Sequence, residues 1–331
     1  RRDVLTMLSM VGASTIAAPT VVGAKLRENI LREGPFEEVP PFEEVPGTFR
    51  SPAPFDTGDI LRENSPGEYG ASIVWIGHST VLMRLGSSWI LTDPVMFDRY
   101  GINVLGFTLG PHRYSRPALR VDDLPKPDLV LLSHAHLDHT DLPTLEALTN
   151  RFPNELTVVC ASNTQDVVEE LPWKSVRELD WDDRASINGV DVRALQVKHN
   201  GRRFPGEPCR ADGHRRGRSY NGYEIVAGGV KVVFAGDTAF TTSFRDVGSN
   251  IDVALMPIGA YRHCSEDHCT PEEGLAMTNM MKARYVVPIH YGTFKQSQEP
   301  VFEPLQRLRR AMAAEPGRLA IDGIGGCLRL A

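Results

Sequence analysis

The stretch that decides the reading is LVLLSHAHLDHTD, residues 129–141. An apolar run, Leu129 to Leu132, feeds directly into His134, His136, Asp138 and His139. A short apolar run that ends in polar residues reads as a buried strand. Alternation puts His134 and His136 on one side just past its end, and Asp138 and His139 follow in the turn into the next helix. Imidazole nitrogen and carboxylate oxygen are the donors that zinc and similar divalent ions take at catalytic sites. A lone histidine is more often a satisfied core or surface residue. Four such residues at the spacing H-x-H-x-D-H point to metal, and a loop that is His-rich by chance is the weaker reading.

A metal reading makes a demand on the rest of the chain: further donors at strand ends on the same edge. Three residues qualify. His199 ends VDVRALQVKH, Asp237 follows KVVFAG, and His290 ends YVVPIH. Each comes directly after an apolar or alternating run, as the histidine cluster does, and this shared placement supports one site.

The elements around these residues alternate between strands and helices. SIVWIGHSTVLMRL and SWILTDPV read as strands joined by a turn at Gly86-Ser87-Ser88. LPTLEALTNRF has helical spacing, LTVVCAS is a strand, and TQDVVEEL is helical again. YEIVAGGVKVVFAGD reads as a hairpin turning at Gly228-Gly229, and DVALMP as a strand. TPEEGLAMTNMMKAR is a helix with a capping box from Thr270 to Glu273 and Pro271 at its first position. YVVPIH is the next strand, and LRLA adds a last one. This pattern predicts a layered α/β protein. The net charge of −6 argues against a nucleic-acid binder, which would present a basic face.

The first residues differ in character. RRDVLTMLSMVGASTIAAPTVVGAKL opens with Arg1-Arg2 and carries no charge between Asp3 and Lys25. Residues 1–25 resemble a twin-arginine export signal, which predicts a periplasmic protein; an amphipathic or membrane-anchoring helix is the other reading, and without a signal the chain would be cytoplasmic. Residues 26–66 read as an extended arm or linker. They hold the hexamer PFEEVP twice in tandem, too few copies for a solenoid, and dense proline and acidic pairs. Residues 67–331 are the expected catalytic domain.

HAHLDH, then His199, then Gly-Asp237-Thr, then His290 resembles the metallo-β-lactamase-fold hydrolase superfamily. WIGHSTVLMRLGSSWILTDPV, AGDTAF, PIGAYRHCSEDHCTPEEGLA and PIHYGTF resemble more closely the branch that includes N-acylphosphatidylethanolamine-hydrolysing phospholipase D and its bacterial relatives. The ascorbate-6-phosphate lactonase branch is a more distant likeness. The resemblance covers roughly residues 45–331. It implies a four-layer αββα sandwich with two metal ions at one rim. His134, His136 and His199 would hold the first, Asp138, His139 and His290 the second, and Asp237 would bridge them. Zinc is the expected ion; iron and manganese occur in relatives. The implied nucleophile is a metal-bound hydroxide between cations roughly 3.5–4 Å apart. Asp138 would orient it or take its proton.

Other positions carry weaker signals. His78 and Asp93 sit at strand ends; they are either hydrogen-bond partners of the ligand imidazoles or simple turn and capping residues. The family position matching His268 lies at the site mouth, which implies a contact to substrate or leaving group. His112, His214 and His263 attract no functional reading. The Arg-rich segment 200–218 is either a basic lip for an anionic substrate or lipid head group or a solvated loop. The cysteines Cys160, Cys209, Cys264, Cys269 and Cys327 form no C-x-x-C, and Cys264 and Cys269 are close enough in sequence to pair.

Three functions remain open from the sequence. The first is a phosphodiesterase acting on a small molecule or a phospholipid of the N-acylphosphatidylethanolamine type, with peripheral membrane contact. The second uses the same metals on a lactone or β-lactam. The third is a non-catalytic metal-binding protein, which the complete donor set disfavours.

Overall fold

A computed structural model describes residues 70–104 and 107–331. The signal-like segment 1–25 and the arm 26–66 lie outside the described residues. The chain divides into two compact units, 1–51 with 102–109, and 52–101 with 110–331. Of the first, the described part is a short antiparallel hairpin, β4 (Ile102–Val104) and β5 (Phe107–Leu109). The second unit carries every residue singled out as a metal ligand.

Two sheets build this second unit. The strands of the first are β1 (Ala71–Gly77), β2 (Thr80–Leu85), β3 (Ser88–Thr92), β6 (Leu129–Leu132), β7 (Thr157–Ala161), β8 (Ser175–Leu179) and β15 (Cys327–Leu330). They lie in the order β15-β1-β2-β3-β6-β7-β8. The strands of the second are β9 (Arg184–Ile187), β10 (Val190–Gln196), β11 (Asn221–Ala227), β12 (Val230–Phe234), β13 (Val253–Pro257) and β14 (Tyr285–Ile289). Their order is β14-β13-β12-β11-β10-β9. The helices are α1 (Leu142–Arg151), the short α2 (Gln165–Val168), α3 (Pro271–Met280) and α4 (Glu303–Ala311).

The alternation of side chains decides which layer each residue joins. Along β2, Val81, Met83 and Leu85 enter the core between the sheets, and Leu82 points outward under α1. Along β6, Leu129 and Leu131 face inward while Val130 and Leu132 pack with Leu145 and Leu148 of α1. In the second sheet Val232 and Phe234 face inward, and Val233 packs outward with Met277 of α3. A strand that is apolar at every position is what a sheet covered on both faces needs. The layers are therefore helix, sheet, sheet, helix, the αββα sandwich expected from the sequence.

The parallel pairs β3/β6/β7/β8 and β12/β13/β14 need crossover connections. Asp93, the cluster His134 to His139, Asp237 and His290 sit at the C-terminal ends of the parallel strands β3, β6, β12 and β14. Four expectations change in detail. TQDVVEEL keeps only one helical turn, Gln165–Val168. The strand read to His199 ends at Gln196. The helix read to Arg284 stops at Met280, and Lys282 beyond it has a left-handed φ of 52°. β8, β9 and α4 are additional elements, β8 with two successive charges that break its alternation and β9 only four residues long.

One bond ties the sheets together beneath the site. The fully buried Tyr223 of β11 donates from its hydroxyl to the carbonyl of Leu132 at the end of β6, 2.8 Å away. Tyr223→Phe leaves that carbonyl without its donor and should cost about 1–3 kcal/mol of stability. Urea unfolding measures it; an unchanged midpoint would show that the bond contributes nothing.

Candidate metal centre

Six chain segments converge on the cluster. The β1–β2 turn brings His78, the end of β3 brings Asp93, and the end of β6 brings His134, His136, Asp138 and His139. His199 follows β10, Asp237 follows β12, and His290 follows β14. A seventh stretch adds His268, which stands just before Thr270, whose side chain caps α3.

The first group is a trio of imidazoles. His134 Nε2 lies 2.8 Å from His136 Nδ1, and His199 Nε2 lies 3.2 and 3.3 Å from the same two atoms. The far nitrogens are engaged elsewhere. His134 Nδ1 meets the Ser133 hydroxyl at 2.9 Å, His136 Nε2 meets Asn200 Oδ1 at 3.0 Å, and His199 Nδ1 donates to the Asp267 carbonyl at 2.9 Å. Two carbonyl-type acceptors thus fix protons on His136 Nε2 and His199 Nδ1, which leaves lone pairs on the converging atoms. Burial, reinforced by the neighbouring imidazoles, pushes His134 well below its ordinary pKa; burial does the same to His199 and, to a lesser extent, His136. Three neutral imidazoles aimed at one point are a metal-binding set.

The second group is built on carboxylates. Asp138 Oδ2 stands 3.4 Å from His139 Nε2 and 3.5 Å from His290 Nε2. Asp237 Oδ2 stands 3.1 and 3.0 Å from the same nitrogens, and 3.8 Å from His199 Nε2. Asp237 therefore reaches both groups. Burial opposes ionisation of both aspartates, yet His139 and the surrounding imidazoles outweigh it and hold both well below the usual carboxylate range. Conversely, burial would lower His290, but Asp237 and Asp138 push it up to about 9. Two buried carboxylates need positive charge beside them. Among protein groups it falls on His139 and His290, and a divalent cation would supply it in place of those protons.

A further observation supports metal. Among the described residues, His139 Nε2, His290 Nε2 and Asp237 Oδ1 are buried without a hydrogen-bond partner. Buried polar atoms are nearly always paired, and unpaired donors converging on a common centre are accounted for by coordination. Potential donors lie within 4.8 Å of one another in His134–His136–His199, in His78–Asp138–His139–His290 and in His199–Asp237–His268. The donor set is the nitrogen and oxygen mixture that suits zinc, iron or manganese.

Asp93 is hydrogen-bonded to an imidazole of the cluster. Its Oδ2 accepts from His139 Nδ1 at 2.6 Å and from the Ser133 hydroxyl at 2.5 Å, and its Oδ1 accepts from Ser133 N at 2.7 Å. His78 differs. Its Nε2 bonds the carboxylate of Asp138 at 3.0 Å instead of a ligand imidazole, because its left-handed turn conformation (φ 54°) lays the ring against that of His290. Burial drives it down to about 3, so it is neutral and donates to Asp138. His268 stands deeper than a mouth residue: its Nδ1 lies 3.8 Å from Asp237 Oδ2, and its side chain is 14% exposed.

Three contributors carry no sequence signal of their own. Asn200 accepts from His136 and donates to Asp267 Oδ2 at 3.0 Å. Asp267 holds His199 through its carbonyl. Gln296 donates to Asp138. Only position beside a ligand, as for Asn200 after His199, could have marked any of them.

The Arg-rich segment is mostly structural. Arg203 is buried and donates from Nη1 to the carbonyls of Ala135 and Thr140, 2.9 and 3.0 Å away, bracing the histidine loop. Arg202 pairs with Asp212, Arg210 with Asp180, and Arg218 with Asp166 and Glu207. Arg215 and Arg216 are the exposed ones. Cys264 and Cys269 are free thiols, the latter buried with its sulfur 3.2 Å from the Pro257 carbonyl.

A family model, the beta-lactamase superfamily domain, matches residues 88–291. The chain belongs to the beta-lactamase superfamily. It is a metal-dependent hydrolase of the metallo-β-lactamase fold. It is 30% identical over 279 residues to an uncharacterised protein of Mycobacterium tuberculosis, covering 82% of this chain and 70% of that one. It is 29% identical over 273 residues to N-acyl-phosphatidylethanolamine-hydrolyzing phospholipase D 1 of Caenorhabditis elegans, covering 77% and 74%. Among solved structures, a metallo hydrolase of the archaeon Ignicoccus hospitalis matches with a TM-score of 0.56 at 19% identity, covering 79% of this chain and 98% of that one.

Two outcomes are expected. Elemental analysis of the purified superfamily member should find about two divalent ions per chain, and chelation should lower its melting temperature by several degrees. A folded, active preparation without metal would refute the centre. Gly236, just before Asp237, has φ +60°, and a Cβ there would stand 2.7 Å from Ser133 Cβ. Gly236→Ala should therefore displace either Asp237 or Ser133. A metal titration should show affinity weakened about tenfold or more.

Proposed function

We propose that this protein is a zinc-dependent phosphodiesterase whose substrate is a phospholipid of the N-acylphosphatidylethanolamine type. The observation that carries the reading is the convergence of His134, His136 and His199 with Asp138, His139 and His290 about a shared Asp237. The likeness to the Caenorhabditis elegans phospholipase D over most of both chains favours the phosphodiester class.

Bound at the two groups, a pair of cations would make a water acidic enough to attack at neutral pH and would neutralise charge on the scissile group. The chain does the rest. Asp138 is ionised and flanks the second group, so it can accept the proton of the attacking water. His78, neutral and hydrogen-bonded to the same carboxylate, holds it in orientation. Burial takes His268 down to about 4, so at neutral pH it serves as a hydrogen-bond partner to the leaving oxygen and not as a cationic acid. A lactone or β-lactam offers the same centre a carbonyl carbon in place of phosphorus, and this is the second reading.

The zinc-loaded protein should hydrolyse a phosphodiester panel faster than lactones and β-lactams; the opposite order would sink the phosphodiester reading. Asp138→Asn keeps the shape but removes the negative charge and the proton acceptor. Its rate should fall by about 10²–10⁴, with the fold intact by circular dichroism. His268→Ala should slow turnover while metal content stays at the wild-type value. Loss of metal in that variant would make His268 a ligand instead of a partner to the leaving oxygen.

A further inference from the structure

Differences in burial mark the open side of the centre. His134, His139, His199 and His290 are sealed, whereas the Asp138 side chain keeps 10% of its surface and His136 is half-buried. On the Asp138 flank two half-buried side chains from distant parts of the chain come together: Tyr100, from the segment after β3, and Gln296, from the loop after β14.

Their chemistry is set by what they touch. Gln296 Nε2 donates to Asp138 Oδ2. An ionised carboxylate only accepts, so the amide must present its nitrogen there, and its second N–H faces the phenol oxygen of Tyr100. The phenol of Tyr100 meets the Gln296 carboxamide; burial, then the charge of Asp138, raise its pKa, so it stays an O–H donor. Tyr100 is held from behind. The Tyr100 ring stands edge-on to Phe294 at 4.9 Å, and Phe294 stands edge-on to His78 at 5.3 Å. The buried Arg113 lies over Phe294 at 5.2 Å and donates to the carbonyls of Val95 and Phe97 at 3.4 and 3.3 Å, fixing the main chain that leads to Tyr100.

We propose that Tyr100, oriented by Gln296, donates its O–H to an anionic, non-bridging oxygen of the substrate beside Asp138. The proposal rests on the phosphodiesterase reading of the same site and specifies its reacting group, a phosphorus that carries a charged non-bridging oxygen besides the one displaced. Neutral donors suit the place. A lysine or arginine there would pair with Asp138 and compete with the cation, whereas a phenol steadied by an amide stabilises the oxygen and leaves the carboxylate for metal. Donors fixed before substrate arrives also need no reorganisation when charge builds up on that oxygen.

The test uses the full chain loaded with zinc and follows dimethyl phosphate binding by calorimetry, alongside zinc per chain, melting temperature and steady-state kinetics. Tyr100→Phe should bind dimethyl phosphate about tenfold more weakly, with zinc content and melting temperature at wild-type values. Gln296→Met, which keeps the bulk and loses the donor, should give the same weakening. Binding within twofold of wild type in both variants would overturn the proposal, as would loss of zinc from Tyr100→Phe, which would make the residue structural. If no phosphodiester is turned over and yet Tyr100→Phe weakens dimethyl phosphate binding as stated, the phosphodiesterase reading fails and the Tyr100 donor stands.

Discussion

Two buried carboxylates, Asp138 and Asp237, govern the architecture around them. Each is almost sealed from solvent, and both face the same pair of imidazole nitrogens, on His139 and His290. Burying an ionised carboxylate costs several kcal/mol unless opposite charge and hydrogen bonds surround it. No single strand end can supply that surrounding. It takes the ends of β3, β6, β12 and β14 from two different sheets, so the sandwich must close before the cluster is stable, and the cluster in turn penalises any slip between the sheets. Tyr223, bonded from the second sheet to the last carbonyl of β6, fixes the same alignment from below.

Strain accumulates where this constraint is tightest. His78, Asp93, Ala260 and His290 all have positive φ, at 54°, 30°, 63° and 60°. Such conformations persist in non-glycine residues only when their surroundings over-determine them. Around His78 and His290 the surroundings do. His290 N donates to the His78 carbonyl at 3.0 Å, Trp75 Nε1 donates to that carbonyl at 2.8 Å, and His78 N donates to Thr293 Oγ1 at 2.7 Å. The strain turns these side chains out of their strand direction and into the cluster.

The candidate ligands stand out in the sequence because they follow apolar strands, and the strands stand out because both faces are covered. The same logic explains the omissions. β8, SVREL, has Arg177 and Glu178 in succession, which breaks its alternation, and β9, RASI, alternates over only four residues, too short a run to stand out. The spacing of Leu305, Leu308 and Met312 in and just after α4 is a helical signal that lies among charged neighbours. Asn200, Asp267 and Gln296 act from loops, where no periodicity marks a side chain, and their partners lie 64, 68 and 158 positions away. Tyr100 is hidden for the same reason, since its partner Gln296 sits in a loop near the other end of the chain. The arginines of 200–218 show the converse: a strong compositional signal whose meaning is structural, because only the folded chain brings Asp166, Asp180, Glu207 and Asp212 beside them.

A donor set shared across a superfamily cannot by itself select a substrate; selection has to come from the rim. In this protein the rim is not independent of the centre. The segment that carries His268 also supplies Asp267, whose carbonyl holds His199 and whose carboxylate holds Asn200 against His136. The loop that carries Gln296 begins at His290 and touches Asp138. The segment that ends at Tyr100 begins at Asp93, which fixes His139. Each rim segment is thus tied to a candidate ligand, through hydrogen bonds or a short run of chain, so a change of rim residue reaches the geometry of the centre. Substrate preference and metal retention are coupled by construction, and a rim altered for a new substrate must keep Asp93, Asp267 and Gln296, or their equivalents, in register with the imidazoles and carboxylate they hold.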